Sequence, residues 1–403
     1  MTVRRGSVLA GVMALFLLTV SVATASGPLL IPIPGFAGSA LQVGGVARMN
    51  DGGAIVAGSQ QDPGATGWQP AIIRLHVDGS IDLGYGTEGI SRPRLGAGMA
   101  ATALAIDPHS GDAWVATARL KGKSAIVALN GDGDRATRFA HGGILWRGAS
   151  SAPVALAWRA GRLLVASGGP PCTGCRISVV DPSTGKSIVS GQLAPDQLGG
   201  PRCTDGAITS AVLTGPRIAQ LAFQGGQHCG DRIVTISLTR RGSHPALRQT
   251  RYIPLGSGTP GEALVAASGS DLCVATASPA SSAFGPLIAR RHVVVSSRAP
   301  GGRLIALVAL GSGACAALIA EAHHPTTVVT QASIQRRRAT LDTVPRSLQA
   351  LGMFRCHAHL VVLGARRRGR QSAGAVVTIT VRRGPKGAAS TAAVAPATAS
   401  RCQ

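Results

Sequence analysis

Acidic residues are scarce in this chain: 17 Asp and Glu stand against 40 Lys and Arg in 403 residues. Glutamate occurs only at Glu88, Glu262 and Glu321, and lysine at four positions. The Leu/Glu/Lys-rich runs of a helical bundle or coiled coil are therefore missing. Glycine, at 54 residues, follows no three-residue period, which excludes collagen. No G-x-S-x-G occurs, so a nucleophile elbow has no support. The one C-x-x-C, Cys172–Cys175, has no second copy to complete a zinc ribbon. With 45% hydrophobic residues the chain has ample apolar surface to bury, which excludes a disordered tail. What remains is a Val/Ile/Thr/Gly-rich, all-β protein.

The first residues, Met1-Thr-Val-Arg-Arg-Gly, precede an apolar run from Val8 to Val22 and the small residues Ala23-Thr24-Ala25. A basic start, a short apolar run and an A-x-A site read as a secretory signal peptide over 1–25. The run is shorter than the ~20 residues a span needs, and no later segment reaches that length. No Cys follows it, which excludes a bacterial lipid anchor; Arg4-Arg5 follows Val3, a weak twin-arginine signal. The mature chain is expected to be exported, soluble and monomeric.

Eight cysteines in such a chain point to disulfides before metal or redox chemistry. A thioredoxin-type site would open a helix after Cys172, whereas Arg176-Ile-Ser-Val-Val reads as a strand. Nearest-neighbour pairing gives Cys172–Cys175, Cys203–Cys229, Cys273–Cys315 and Cys356–Cys402. Sequence alone leaves other pairings open.

An internal repeat is visible. Pro70–Ile90 and Ser124–Ile144 share an apolar strand, an Asp-Gly turn, an aromatic, Gly and Ile, 54 residues apart. Each follows another strand, at Ala54 and Ala113. The first copy carries Arg74, Asp78-Gly79-Ser80, Asp82, Tyr85-Gly86 and Gly89; the second keeps Asp132-Gly133, Phe139 and Gly143. These two segments resemble the delta-60 repeat of bacterial secreted β-propellers. The resemblance implies a propeller but no reaction, cofactor or catalytic residue.

The rhythm continues through the chain. A turn followed by an apolar strand recurs at Ala54, Ala113, Leu163, Ile218, Leu272, Cys315 and Leu360. A second strand follows each, at Ile72, Ile126, Ile177, Ile233, Val293, Val328 and Val376. Four short strands with turns fill about 40–50 residues, one propeller blade. The expected architecture is a single seven-bladed β-propeller over 26–385, each blade of four antiparallel strands, with a low-complexity tail over 386–403. Leu29–Phe36 and Ala375–Val381 are expected to pair and complete one blade. A pair of β-sandwiches is the structural alternative, and gives no reason for the period.

Motifs for chemistry are weak. Gly122-Lys-Ser124 and Gly185-Lys-Ser187 lack the first glycine of a phosphate loop and read as hairpin turns. Asn130-Gly-Asp132-Gly-Asp134 alternates like a calcium loop, but has Arg135 and His141 where Gly and Glu belong. Asp-Gly turns explain it more simply. His357 and His359, two apart, would share one strand face, with His323-His324 as candidate neighbours; this reads as a polar face, with no metal and no cofactor expected.

Arginine is the strongest remaining feature. From residue 285 onward seventeen Arg or Lys face two acids, Glu321 and Asp342. Clusters stand at Arg290-Arg291, Arg336-Arg337-Arg338, Arg366-Arg367-Arg368 with Arg370, and Arg382-Arg383. Placed at strand ends, they could form one basic face drawing polyanions. Arg336, Arg337, Arg338, Arg366, Arg367, Arg368 and Arg370 are the candidate ligand-binding residues, although GC-rich codon usage also favours arginine over lysine. Only Phe284 and Phe354 accompany this stretch, which disfavours single-stranded nucleic acid. The function expected is a binding or scaffold protein of the bacterial envelope, with an unknown protein or glycan partner or an anionic cell-wall polymer. A propeller lyase or glycan hydrolase acting at the central channel is the alternative.

Overall fold

A computed structural model describes residues 30–32 and most of 40–380; it leaves out 1–29, 33–39, 381–403 and several inter-strand segments, the longest being 255–261, 288–296 and 332–339. The described residues form seven antiparallel sheets in chain order. The first contains β1 (Leu30–Pro32), β2 (Ala40–Arg48), β3 (Ala54–Gln61), β4 (Trp68–Leu75) and β5 (Ile90–Ser91). The second contains β6 (Met99–Ile106), β7 (Ala113–Arg119), β8 (Ser124–Leu129) and β9 (Ile144–Arg147). The third contains β10 (Pro153–Arg159), β11 (Arg162–Ser167), β12 (Arg176–Val180) and β13 (Ser187–Gln192). The fourth contains β14 (Ala207–Gly215), β15 (Ile218–Gln224), β16 (Arg232–Arg241) and β17 (His244–Pro254). The fifth contains β18 (Glu262–Ser268), β19 (Asp271–Ala277), β20 (Ser281–Leu287) and β21 (Ser297–Pro300). The sixth contains β22 (Arg303–Gly311), β23 (Ala314–Ala320), β24 (Thr327–Gln331) and β25 (Thr340–Thr343). The seventh contains β26 (Leu348–Cys356), β27 (His359–Arg368) and β28 (Gln371–Thr380).

The strands β2, β6, β10, β14, β18, β22 and β26 pack against one another in turn, and β26 returns to β2. This closes a ring, the arrangement of a β-propeller, and removes most exposed sheet edges. Counted from the innermost strand, the second strand of each sheet is the most apolar: Ile55, Val115, Leu164, Leu221, Val274, Leu318 and Leu360 are fully buried. Strands covered on both faces read as continuous apolar runs, which is why Leu/Ile-Val-Ala marks them in the sequence. Six of the seven innermost strands carry a bulge near their start, for example between Val43 and Gly45, Ala101 and Ala103, and Ile208 and Ser210. The extra residue twists the strand locally. Two of these residues tie sheets together: Thr102 Oγ1 donates to the Pro153 carbonyl at 3.0 Å, and Thr209 Oγ1 donates to that of Ala263.

The 54-residue repeat is also a repeat of bonds. Asp82 N donates to Arg74 O, and Ala136 N to Ala128 O, both at 2.9 Å. Tyr85 and Phe139 are both about 1% exposed. The residue after each aromatic reaches the next sheet: Gly86 N donates to Asp132 O, and Ala140 N to Thr184 O. The copies divide three costs between them. Ala140 holds φ 46° where the first copy has Gly86, and Glu88 holds φ 55° where the second has Gly142. The Tyr85 hydroxyl is buried without a partner where the second copy has Phe139; burial also pushes its pKa up. Side chains in the left-handed region cost about 1 kcal/mol, as does an unpaired buried hydroxyl. Ala140→Gly, Glu88→Gly and Tyr85→Phe should each stabilise the protein by ~0.5–1 kcal/mol, measured as a rise in the urea midpoint; a fall would refute the equivalence.

Three expected bridges are present, Cys172–Cys175, Cys203–Cys229 and Cys273–Cys315. Cys402, and with it the fourth pair, lies outside the described residues, as do residues 1–25 and the tail 386–403. Several strand expectations change. Leu30–Pro32 ladders onto β2, with Leu30 opposite Gln42, and also lies against β28; the rest of Leu29–Phe36 lies outside the described residues. The third strand of the fifth sheet is β20, Ser281–Leu287; Val293 lies outside the described residues. Cys356 ends β26 and pairs with His359 at the start of β27, so this segment is a hairpin and the two-residue alternation across it does not apply. His357, His323 and His324 lie outside the described residues.

Candidate functional site

The ring has two unlike faces, and turn chemistry makes them so. In an antiparallel meander successive turns alternate between faces. The turns joining first to second and third to fourth strands lie on one face. Those joining second to third strands lie on the other, with the crossovers between sheets.

Every described carboxylate of the first three sheets, from Asp51 to Asp181, sits in turns of the first kind. The reason is local. Asp51 Oδ1 accepts from Gly53 N at 2.8 Å, Asp82 Oδ1 from Gly84 N at 3.0 Å, and Asp107 Oδ1 from His109 N at 2.9 Å. Asp181 Oδ1 accepts from Ser183 and Thr184, which holds its carboxyl below the usual range. Short polar side chains that bond their own backbone two residues on build such turns. Asn130 does the same toward Asp132 and Asp134, so the calcium-like sequence forms an Asx turn. Arg74 joins this face, 2.8 Å from Asp51 and 3.5 Å from Asp82, and donates to the Gly131 carbonyl. The arginine and aspartates of the repeat thus lock two sheets together.

The crossover face carries described carboxylates around the fourth sheet, at Asp196, Asp205 and Asp231, and cations beside the second and third sheets. Arg119 ends β7, Lys123 precedes β8, Arg147 ends β9 and Arg176 starts β12. Among the described residues the salt bridges are those of Arg74 and His76, so none of these four cations has a carboxylate within 4.0 Å. The 119–123 turn is a tight hairpin, Gly122 N donating to Arg119 O at 3.1 Å, as expected of Gly122-Lys-Ser124.

A cleft of about 370 Å³ opens there, lined by Lys123, Trp146, Arg147 and Gly148. Trp146 is 45% exposed. Arg147 crosses to the third sheet, where Nη1 donates to Ser178 Oγ at 3.4 Å. Ser178 in turn faces Ser190, with Oγ atoms 3.2 Å apart. The Arg147 Nε is buried without a hydrogen-bond partner. Burial, and then repulsion from Arg176, hold this guanidinium below its ordinary pKa. An arginine stays charged in a protein, so the unused donor is a standing demand for an acceptor. A second cleft of about 300 Å³ is lined by Arg92, Arg94 and Arg135, but Asp134 stands among them. Arg92 Nε already donates to Gln60.

Of the arginines singled out from the sequence, Arg366–Arg368 close β27 opposite Gln371–Ala373, a turn of the crossover face. Arg336, Arg337 and Arg338 lie outside the described residues. Arg370, Arg290-Arg291 and Arg382-Arg383 also lie outside the described residues. Sequence reasoning missed Trp146, Arg147, Lys123 and Arg176. One signal was available: the repeat partner of Trp146 is Arg92, so the fold does not require a tryptophan there.

No family model and no curated protein matches the sequence. Solved propellers match the structure. The Dos1 propeller aligns with TM-score 0.50 at 10% identity, over 84% of this chain and 80% of that one. BamB from Moraxella catarrhalis gives 0.42 at 14% identity, over 84% and 97%. Chaetomium thermophilum Sqt1, bound to the N-terminus of ribosomal protein L10, gives 0.48 at 10% identity, over 84% of each chain. At these identities the likeness concerns the fold. No helix among the described residues is long and apolar enough to cross a membrane.

Proposed function

We propose that the chain is an exported, seven-bladed binding propeller of the bacterial envelope, a delta-60-type repeat protein that captures polyanions through its crossover face. One observation carries this reading: Arg119, Lys123, Arg147 and Arg176 share a face, and none of them has a described carboxylate within 4.0 Å. Arg366–Arg368 close a strand at a turn on the same side of the ring. Uncompensated cations at one surface attract polymers of opposite charge, at the cost of strong salt dependence. Three disulfides support an oxidising compartment.

The test is retention of the oxidised protein on an anionic cell-wall polymer as salt is raised. Retention at low salt should fall steeply between about 50 and 200 mM, as counterion release requires. Changing Arg366, Arg367 and Arg368 together to serine, or Lys123 and Arg176 to glutamine, should lower the salt at which half is released. Absence of retention at low salt refutes polyanion capture.

A further inference from the structure

We propose that the cleft between Lys123, Trp146 and Arg147 is a subsite for one acidic sugar ring, a pyranose bearing a carboxylate. This rests on the polyanion reading and says which unit of the polymer is read, and where.

Two demands meet at this point of the surface. The first is apolar. Trp146 is 45% exposed in a chain with four tryptophans, and among the described residues the other exposed large apolar side chains are Leu83 and Ile218. Its neighbours in β9 are less exposed, Ile144 buried and Leu145 half-buried. An indole face at a cleft suits the C–H face of a pyranose, which is apolar at its centre and polar at its rim. The second demand is for an anion. Arg147 and Lys123 line the same cleft and Arg176 stands near Arg147, and none of the three has a described carboxylate within 4.0 Å. A carboxylate held between Lys123 and Arg147 would answer both cations with charge-assisted hydrogen bonds.

Size narrows the choice. About 370 Å³ lies at the small end of ligand pockets and suits a single ring with its acid group. Single-stranded nucleic acid needs successive aromatic platforms, and Trp146 is the one exposed tryptophan among the described residues. A bare inorganic anion would use the cations and leave the indole idle. The acidic sugar satisfies both halves of the site.

The probe is trigalacturonate, with neutral maltotriose and inorganic phosphate as comparisons, on the oxidised full chain. Trigalacturonate should quench tryptophan emission and bind at least tenfold tighter than maltotriose. By calorimetry Trp146→Ala and Lys123→Gln should each weaken it at least fivefold. Both side chains are exposed at the cleft, and unchanged thermal midpoints confirm intact folding. Phosphate competing as well as trigalacturonate, or unchanged affinity in Trp146→Ala, overturns the sugar subsite and leaves polyanion capture standing. So does retention on polymer without trimer binding. Failure of both the trimer and the polymer to bind at low salt overturns both.

Discussion

Replacing Cys273 and Cys315 together by alanine should cost the oxidised protein about 4 kcal/mol, the largest loss from any of the three described bridges. Cys273 sits in β19 and Cys315 in β23, so this disulfide joins the second strands of adjacent sheets across 42 residues of chain. Both sulfurs are buried at a sheet-to-sheet contact that also holds Ala275, Leu304, Ala317 and Ile319. In the chain-entropy account the cost of losing a cross-link grows with the loop it closes. A 42-residue loop is worth about 4 kcal/mol, the 26-residue loop of Cys203–Cys229 about 3.5, and the three-residue step of Cys172–Cys175 about 1.6. Urea midpoints of the three double variants should therefore fall in that order. A Cys172/Cys175 variant as unstable as the Cys273/Cys315 one would show that local packing, not loop length, decides.

A valine at Gly44 should cost about 2–4 kcal/mol, with alanine there costing less. Gly44 is the bulged residue of β2 and lies where that strand meets β6. A Cβ built on it would run into the backbone carbonyl of Ala101, and one on Gly45 would lie 2.8 Å from the Cβ of Leu104. Backbone cannot rotate away as a side-chain tip can, so the first two sheets would have to separate. Gly215, at the far end of β14, has no atom within 4 Å of such a Cβ, and Gly215→Ala should change stability by less than about 0.5 kcal/mol. Equal losses at the two glycines would mean that strand propensity, not the close approach, explains Gly44.

These predictions bear on what a reader of the sequence can and cannot find. The second strands announce themselves because burial on both faces demands an unbroken apolar run, as in Leu163-Leu164-Val165-Ala166 and Cys315-Ala-Ala-Leu-Ile319. The Asp-Gly turns are legible for the same reason, since the bond from Asp51 to Gly53 is made within three residues. Even the three described disulfides follow chain order: Cys172–Cys175 and Cys203–Cys229 each close segments at a single sheet, and Cys273–Cys315 joins consecutive sheets, which are neighbours in a ring. Where a turn fell inside a run that looked continuous, as between Cys356 and His359, sequence pattern failed, since both sides of the hairpin read as strand.

By itself, then, the sequence determined the strand content, the period and the turn chemistry, all set by interactions a few residues long. Only the tertiary structure decided where charge accumulates. In the first three sheets aspartates are drawn to one face by turns that need them, and Arg147 reaches Ser178 in the next sheet, 31 residues away in the chain. Composition records the surplus of arginine, but a face is a property of alternating turns and a closed ring. Trp146 and Arg147 meet Lys123 through the β8–β9 ladder of one sheet, with Ser124 opposite Arg147, and the neighbouring sheet supplies Ser178 to the guanidinium.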